Sequence, residues 1–134
     1  MAELFNRITD SELVVAAATA VTTTASTTAV AIPSIGTGDE DLGIIINVSS
    51  VTGTFDGSNY YTVDLMASTA SGGTYYKVVG VDISAVGVNL LAFNTKQVQR
   101  VVGSESAAYY KLTVTKTGTT ATGTTVSGTI VKGD

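Results

Sequence analysis

Alternation of apolar and polar residues is the dominant signal along the chain. Ala108, Tyr110, Leu112 and Val114 interleave with Tyr109, Lys111, Thr113 and Thr115, the period of two that lets a strand bury one face and wet the other. Within residues 125–132, Val126 and Ile130 share a face, and the stretch from 117 to 123 between the two runs carries Gly118 and Gly123 without an apolar anchor. The pattern predicts a hairpin there. Tyr61, Val63, Leu65 and Ala67 alternate with Thr62, Asp64, Met66 and Ser68, and a further run over residues 74–82 follows Ser71, Gly72 and Gly73, predicting a second hairpin. Ile44, Ile45, Ile46 and Val48 form an apolar run around Asn47, the signature of a central strand buried on both faces, followed by a loop with Asp56 and Gly57.

Further strands are expected over residues 13–22, 28–32, 88–93 and 98–102. About eight or nine short strands, with turn signals roughly every ten residues, predict an all-β fold: an antiparallel β-sandwich, jelly-roll-like, with about eight strands. Residues 1–12 stand apart. Leu4, Phe5 and Ile8 recur there at near-helical spacing, but the segment is too short to hold a helix alone. It reads either as a frayed terminus or as an arm whose apolar side chains dock on a neighbouring subunit. The expected organisation is an N-terminal arm, 1–12, and one sandwich domain, 13–134.

Composition supports this and removes much chemistry. The 134 residues are one domain's length, and 23 Thr, 18 Val and six Tyr outweigh the helix formers. There is no Cys, His or Trp, so histidine-dependent nucleophilic catalysis, Cys/His zinc sites and disulfides are excluded. Seven basic residues against eleven acidic ones, a net charge of −4 and no basic run leave no footprint for neutralising phosphates, so nucleic acid is not expected as a partner. With 44% hydrophobic residues and a mean hydropathy of +0.34 the chain should build a real core rather than stay disordered. The long uncharged stretch from 13 to 38 is broken by Thr22, Thr23, Thr24, Ser26, Thr27 and Thr28, with Pro33 near its end, so no membrane span is expected. Ala16, Ala17 and Ala18 mimic a cleavage site, but Glu3, Asp10 and Glu12 stand where a secretory signal carries positive charge, so the chain reads as a cytoplasmically made protein.

Candidate motifs are weak. Gly36, Gly38 and Gly43 have the wrong spacing for a phosphate loop, and Asp39, Glu40 and Asp41 would repel phosphate. Those acids echo part of a calcium loop, but Ser50 occupies the position that needs a bidentate acid. A solvated loop is the plainer reading, with calcium as a side possibility. Asp56, Asp64 and Asp82 are the carboxylates from which a glycosidase pair would have to come; no motif supports catalysis, and Asp64 and Asp82 fall on outward strand positions. The pairs Tyr60/Tyr61, Tyr75/Tyr76 and Tyr109/Tyr110 each predict one core ring and one surface ring. Surface rings of this kind serve protein interfaces or sugars. The Asn47-Val48-Ser49 glycosylation pattern lies in a strand read as buried, so it is taken as chance.

Beyond these motifs, the arrangement from Val14 to Asp134 resembles small bacteriophage capsid cement or decoration proteins, the family typified by the Bordetella phage cement protein. The residues that carry the likeness are 11–20 (SELVVAAATA), 42–48 (LGIIINV), 61–68 (YTVDLMAS), 109–114 (YYKLTV) and 125–130 (TVSGTI). The likeness implies a jelly roll that self-associates as a homotrimer, sits outside the phage head and stabilises contacts between subunits of the major capsid protein. It also implies a virion protein made in the host cytoplasm, without enzymatic activity, cofactor or metal. The segment 1–10 and the acidic loop 39–41 depart from the pattern, so contact residues do not carry over. Interface candidates therefore rest on residue type and position: Leu4, Phe5 and Ile8 in the arm, and Arg100 and Tyr109 because Arg and Tyr are enriched in interfaces. The alternative is a glycan-binding or adhesin module on a phage fibre or tail.

Overall fold

The computed structural model describes residues 13–32, 41–103 and 107–132. Among them the strands are β1 (Val14–Val21), β2 (Ala25–Ser26), β3 (Val30–Ala31), β4 (Asp41–Gly53), β5 (Tyr60–Ser68), β6 (Tyr76–Ile83), β7 (Gly87–Asn94), β8 (Tyr109–Thr117) and β9 (Ala121–Lys132). One helix, α1 (Thr95–Val102), lies between β7 and β8. One sheet has the order β1-β9-β4-β7 and the other β2-β8-β5-β6, with β3 also on β8. All pairings are antiparallel.

β2 and β3 line one edge of β8 as a single interrupted strand. Ser26 opposes Thr113 and Val30 opposes Tyr110, so one extra residue between them makes a bulge. With that strand counted once, β1 pairs with β9, β2/β3 with β8, β4 with β7 and β5 with β6. The chain is one long antiparallel hairpin rolled into two facing sheets, which is the jelly roll.

The rows that alternate in the sequence meet between the sheets. Leu42, Ile44, Ile46 and Val48 from β4 and Val126 and Ile130 from β9 face Tyr61, Val63, Leu65 and Ala67 from β5 and Tyr110, Leu112 and Val114 from β8, all buried. Each large side chain contributes about 1.5–3 kcal/mol by leaving water. Gly128 takes an inward position on β9, where a Cβ would stand 3.0 Å from Leu112 Cδ1 and 3.4 Å from Ile44 Cδ1. Its missing side chain leaves the space that those two residues fill.

Three sequence expectations are corrected. Residues 98–102 are not a strand. They belong to α1, because the Asn94 side chain accepts the Gln97 N–H at 2.8 Å at the helix start and Gly103, in the left-handed region at φ 77°, closes its end. Val98 is fully buried and Val101 and Val102 pack against the core, at helical spacing that a strand reading overlooked. β8 and β9 are not a hairpin either: they lie in opposite sheets, each hydrogen-bonded to other strands. One-sided alternation is the same whether the next strand pairs alongside or crosses to the facing sheet, so the pattern alone does not separate the two. Finally, the run around Asn47 is central in its sheet but buried on one side only, with Ile44, Ile46 and Val48 inside, Ile45 half-buried and Asn47 exposed. The β5–β6 hairpin forms as expected.

Candidate functional site

The links between strands cluster at the ends of the sandwich, and one of them builds an open hollow of about 280 Å³ lined by Asp56, Gly57, Tyr60, Asp82, Ile83 and Ser84. Its floor is a tight turn. Asp56 and Asn59 exchange backbone hydrogen bonds at 2.9 and 3.2 Å. One Asp56 carboxylate oxygen also accepts the Ser58 N–H at 2.8 Å and the Asn59 side-chain amide at 2.9 Å. The Asn59 side-chain oxygen in turn accepts the Thr119 and Thr120 N–H groups at 2.8 and 3.0 Å. The β4–β5 link is thereby tied to the β8–β9 crossing. Gly118, at φ 81°, lies against Asn59 and Ser58 where a Cβ would collide.

This geometry decides what the three candidate aspartates do. The Asn59 side-chain amide, with help from the Ser58 N–H, holds the Asp56 carboxyl below its ordinary range, the opposite of what a general acid needs. Asp82 accepts the Thr62 hydroxyl at 2.7 Å on the outer face of the β5–β6 pair. Asp64 does not line the hollow. It lies over Gly80, where a Cβ would collide with it, and meets the Lys77 ammonium at 3.5 Å. A pair of carboxylates therefore lines one hollow, with one of them committed to a turn that favours its ionised form. Among the described residues no group of three or more His, Cys, Asp or Glu is arranged to hold a metal ion. Of the acidic triplet at 39–41, only Asp41 is described, exposed at the start of β4.

The tyrosines divide as expected for two pairs. Tyr61 and Tyr110 are core residues, while Tyr60 and Tyr109 are half-buried. Tyr61 donates its hydroxyl to Thr22 O at 2.8 Å; burial pushes Tyr110 up to about 12. The pair Tyr75/Tyr76 puts neither ring in the core: Tyr75 donates to Ser71 O at 2.8 Å and lies 4.2 Å under the Lys111 ammonium, and Tyr76 is exposed. Tyr60 opposes Thr117 and Tyr109 opposes Ser68, so these two rings sit at opposite ends of the β5–β8 ladder, roughly 27 Å apart along the strand. They do not share a binding platform.

Of the interface candidates, Arg100 is exposed in the last turn of α1, where its charge suits the helix C-terminus. Tyr109 is half-buried at the start of β8. Leu4, Phe5 and Ile8 lie outside the described residues. The structure adds a surface that residue type did not reveal: Val86 is 60%, Val88 69% and Leu90 65% exposed. Val88, Leu90 and Ala92 form the outward row of β7, opposite Asn47, Ile45 and Gly43 of β4. Leu90 reaches over Gly43 towards Val131 of β9, a Cβ on Gly43 lying 3.0 Å from one side chain and 3.5 Å from the other. The sequence held the signal, because Val86, Val88, Leu90 and Ala92 form an apolar row that alternates with Gly87, Asn89, Leu91 and Phe93, so that both faces are apolar from Leu90 to Phe93.

Among the described residues no helix is long and apolar enough to cross a membrane. No family model matches the chain, and no curated protein matches it. Among solved structures, one of infectious bursal disease virus, Gx strain, aligns with 87% of this chain at 15% identity and a TM-score of 0.42. A structure of the Gt strain of that virus aligns with 90% at 14% identity and a TM-score of 0.36. The chain spans 30% and 32% of those chains. The jelly roll itself rests on this molecule's own strand order.

Proposed function

We propose that this chain is a structural virion protein of the cement or decoration kind, which binds the outside of a phage head and braces contacts between major capsid subunits. The observation that carries the reading is the outward apolar row of Val88 and Leu90, 69% and 65% exposed on the jelly roll. A contiguous apolar surface is a place for another protein. The jelly roll, the resemblance in sequence pattern and an Asp56 that is committed to a turn support it further. Such a protein acts by adhesion and makes or breaks no bond. Modest contacts suffice, because repetition over a lattice raises effective affinity. Self-association and attachment through the arm residues Leu4, Phe5 and Ile8 belong to the same proposal, with assembly on the head exterior after synthesis in the host cytoplasm.

The test is co-sedimentation of the purified chain with heads lacking it, followed by heat and osmotic challenge. Binding with a gain in particle resistance is expected; heads equally resistant with and without the chain contradict the proposal. Removing residues 1–10 should weaken binding while the domain stays folded, and unchanged binding contradicts the arm. The second reading, glycan recognition, is favoured by Tyr60 lining the hollow with Asp56 and Asp82, a ring beside two hydrogen-bond acceptors. A glycan array that stays silent with the folded protein removes it.

A further inference from the structure

The four lateral edges of the sandwich are protected to different degrees. An edge strand carries unpaired N–H and C=O groups and is blunted in natural proteins by bulges, charge, shortness or a covering element. β1 meets β9 through two register shifts, between Val14 and Ala16 and between Ala16 and Thr19. The β2/β3 edge consists of two-residue pieces separated by a bulge. β6 carries Lys77 and Asp82, is bulged opposite Leu65 and Met66, and has its Val78 carbonyl occupied by the Gln97 side chain of α1 at 2.9 Å.

Among the described residues β7 has none of these devices. Its eight residues, Gly87 to Asn94, include no charge and no proline, and they pair with β4 in unbroken register from Asp41↔Asn94 to Val48↔Gly87. Every second residue therefore turns its N–H and C=O away from β4, beside the exposed Val88 and Leu90. We propose that β7 is a self-association edge, on which a second copy of this chain pairs its own β7 antiparallel about a twofold axis, joining the two β1-β9-β4-β7 sheets into one.

The choice of a second copy follows from charge and symmetry. The chain carries a net charge of −4, which opposes self-association wherever acidic residues meet, and β7 is a neutral segment where that repulsion is absent. A twofold axis places the same strand on both sides, so a self-complementary surface is required. The neutral row of Val88, Leu90 and Ala92 supplies it, since both copies turn that row to the same side of the joined sheet. The buried area sets the strength. One eight-residue edge spans about 27 Å, and its pairing covers less than the roughly 800 Å² per partner of a standard interface. A dissociation constant in the micromolar range or weaker is therefore expected. A contact of this kind closes at two copies, so it differs from the threefold association implied by the resemblance. It stands on the open β7 edge together with the outward row beside it, and it holds whether or not the chain binds a capsid.

The experiment is sedimentation velocity of the full chain over a concentration series, with hydrogen exchange of the β7 amides at the two ends of that series. A monomer–dimer equilibrium is expected, with β7 amides gaining protection as dimer forms. Leu90→Lys and, independently, Val88→Lys place a charge on the edge and should each weaken dimerisation at least tenfold. Thr115→Lys, on an exposed position of β8, should leave it unchanged. Circular dichroism identifies any variant that fails to fold, and the other Lys variant then decides. A chain that stays monomeric at millimolar concentration, one that forms trimers, or a dimer indifferent to both β7 variants overturns the proposal.

Discussion

On the outer face of the β2-β8-β5-β6 sheet, polar and charged side chains meet one another. The Lys77 ammonium meets Asp64 at 3.5 Å, the Thr62 hydroxyl bonds Asp82 at 2.7 Å, Ser26 and Thr113 share a hydrogen bond of 3.1 Å, and Lys111 covers the Tyr75 ring. On the outer face of the other sheet, at the β7 end, Val88 and Leu90 project into water instead. The inner faces of both sheets are apolar and buried. Folding needs the inner rows, and it is indifferent to what stands outside. The outward apolar row is therefore the more informative feature about what the molecule touches, and the polar face is the ordinary solution for a strand surface in water.

The largest expected effects test the inner faces. Ile46→Ala in one sheet and Leu112→Ala in the other remove fully buried side chains and should each cost about 2–5 kcal/mol in urea denaturation. A loss below 1 kcal/mol at either site would show that the two sheets do not share one core.

Next comes alkaline pH. Burial raises Tyr110 from 10.0 to about 12, so the unfolded chain ionises first. The stability that this group contributes is complete below pH 10 and is lost as pH rises to about 12, on the order of 2–3 kcal/mol. Its hydroxyl has no hydrogen-bond partner among the described residues. Tyr110→Phe should therefore flatten that alkaline loss and leave neutral-pH stability equal or about 1 kcal/mol higher. A steep loss that persists in the Phe variant assigns the effect elsewhere.

Smaller effects separate the outer faces. Lys77→Ala breaks an ion pair whose lysine is 58% exposed and should cost less than about 1 kcal/mol, diminishing in high salt. Smallest of all, Val88→Thr and Leu90→Thr should each change the stability of dilute monomer by no more than about 0.5 kcal/mol. A larger loss at β7 would make its apolar row part of the fold rather than a surface for a partner.

Most of the strands were legible in the sequence, because the alternations around Tyr61 and Leu112 are local and have one physical cause, burial of one face. The β5–β6 hairpin was legible too, in the Ser71-Gly72-Gly73 turn between two alternating runs, but link length did not decide the pairing, since the shorter link from Thr117 to Ala121 crosses between sheets. α1 was hidden by its valines, which are β formers by propensity; Asn94 and Gly103 were the signals that outweighed them. The hollow was partly legible, in that Asp56 and Asp82 had been singled out. That Asp56 is spent on a turn and Asp64 on Lys77 depended on neighbours two to thirteen positions away along the chain, reached only through folded backbone.

By itself the sequence determined that the chain is a β protein with one-faced strands, a core of aliphatic and tyrosine side chains, and no histidine or cysteine chemistry. Those follow from composition and from a period of two, which each segment carries alone. Only the tertiary structure decided that β8 and β9 part into opposite sheets, that three edges are blunted and that, among the described residues, β7 stays open. Which strand neighbours which is a property of pairs distant in sequence, and a strand with two apolar faces looks the same in the sequence whether its second face is covered by its own chain or left for another.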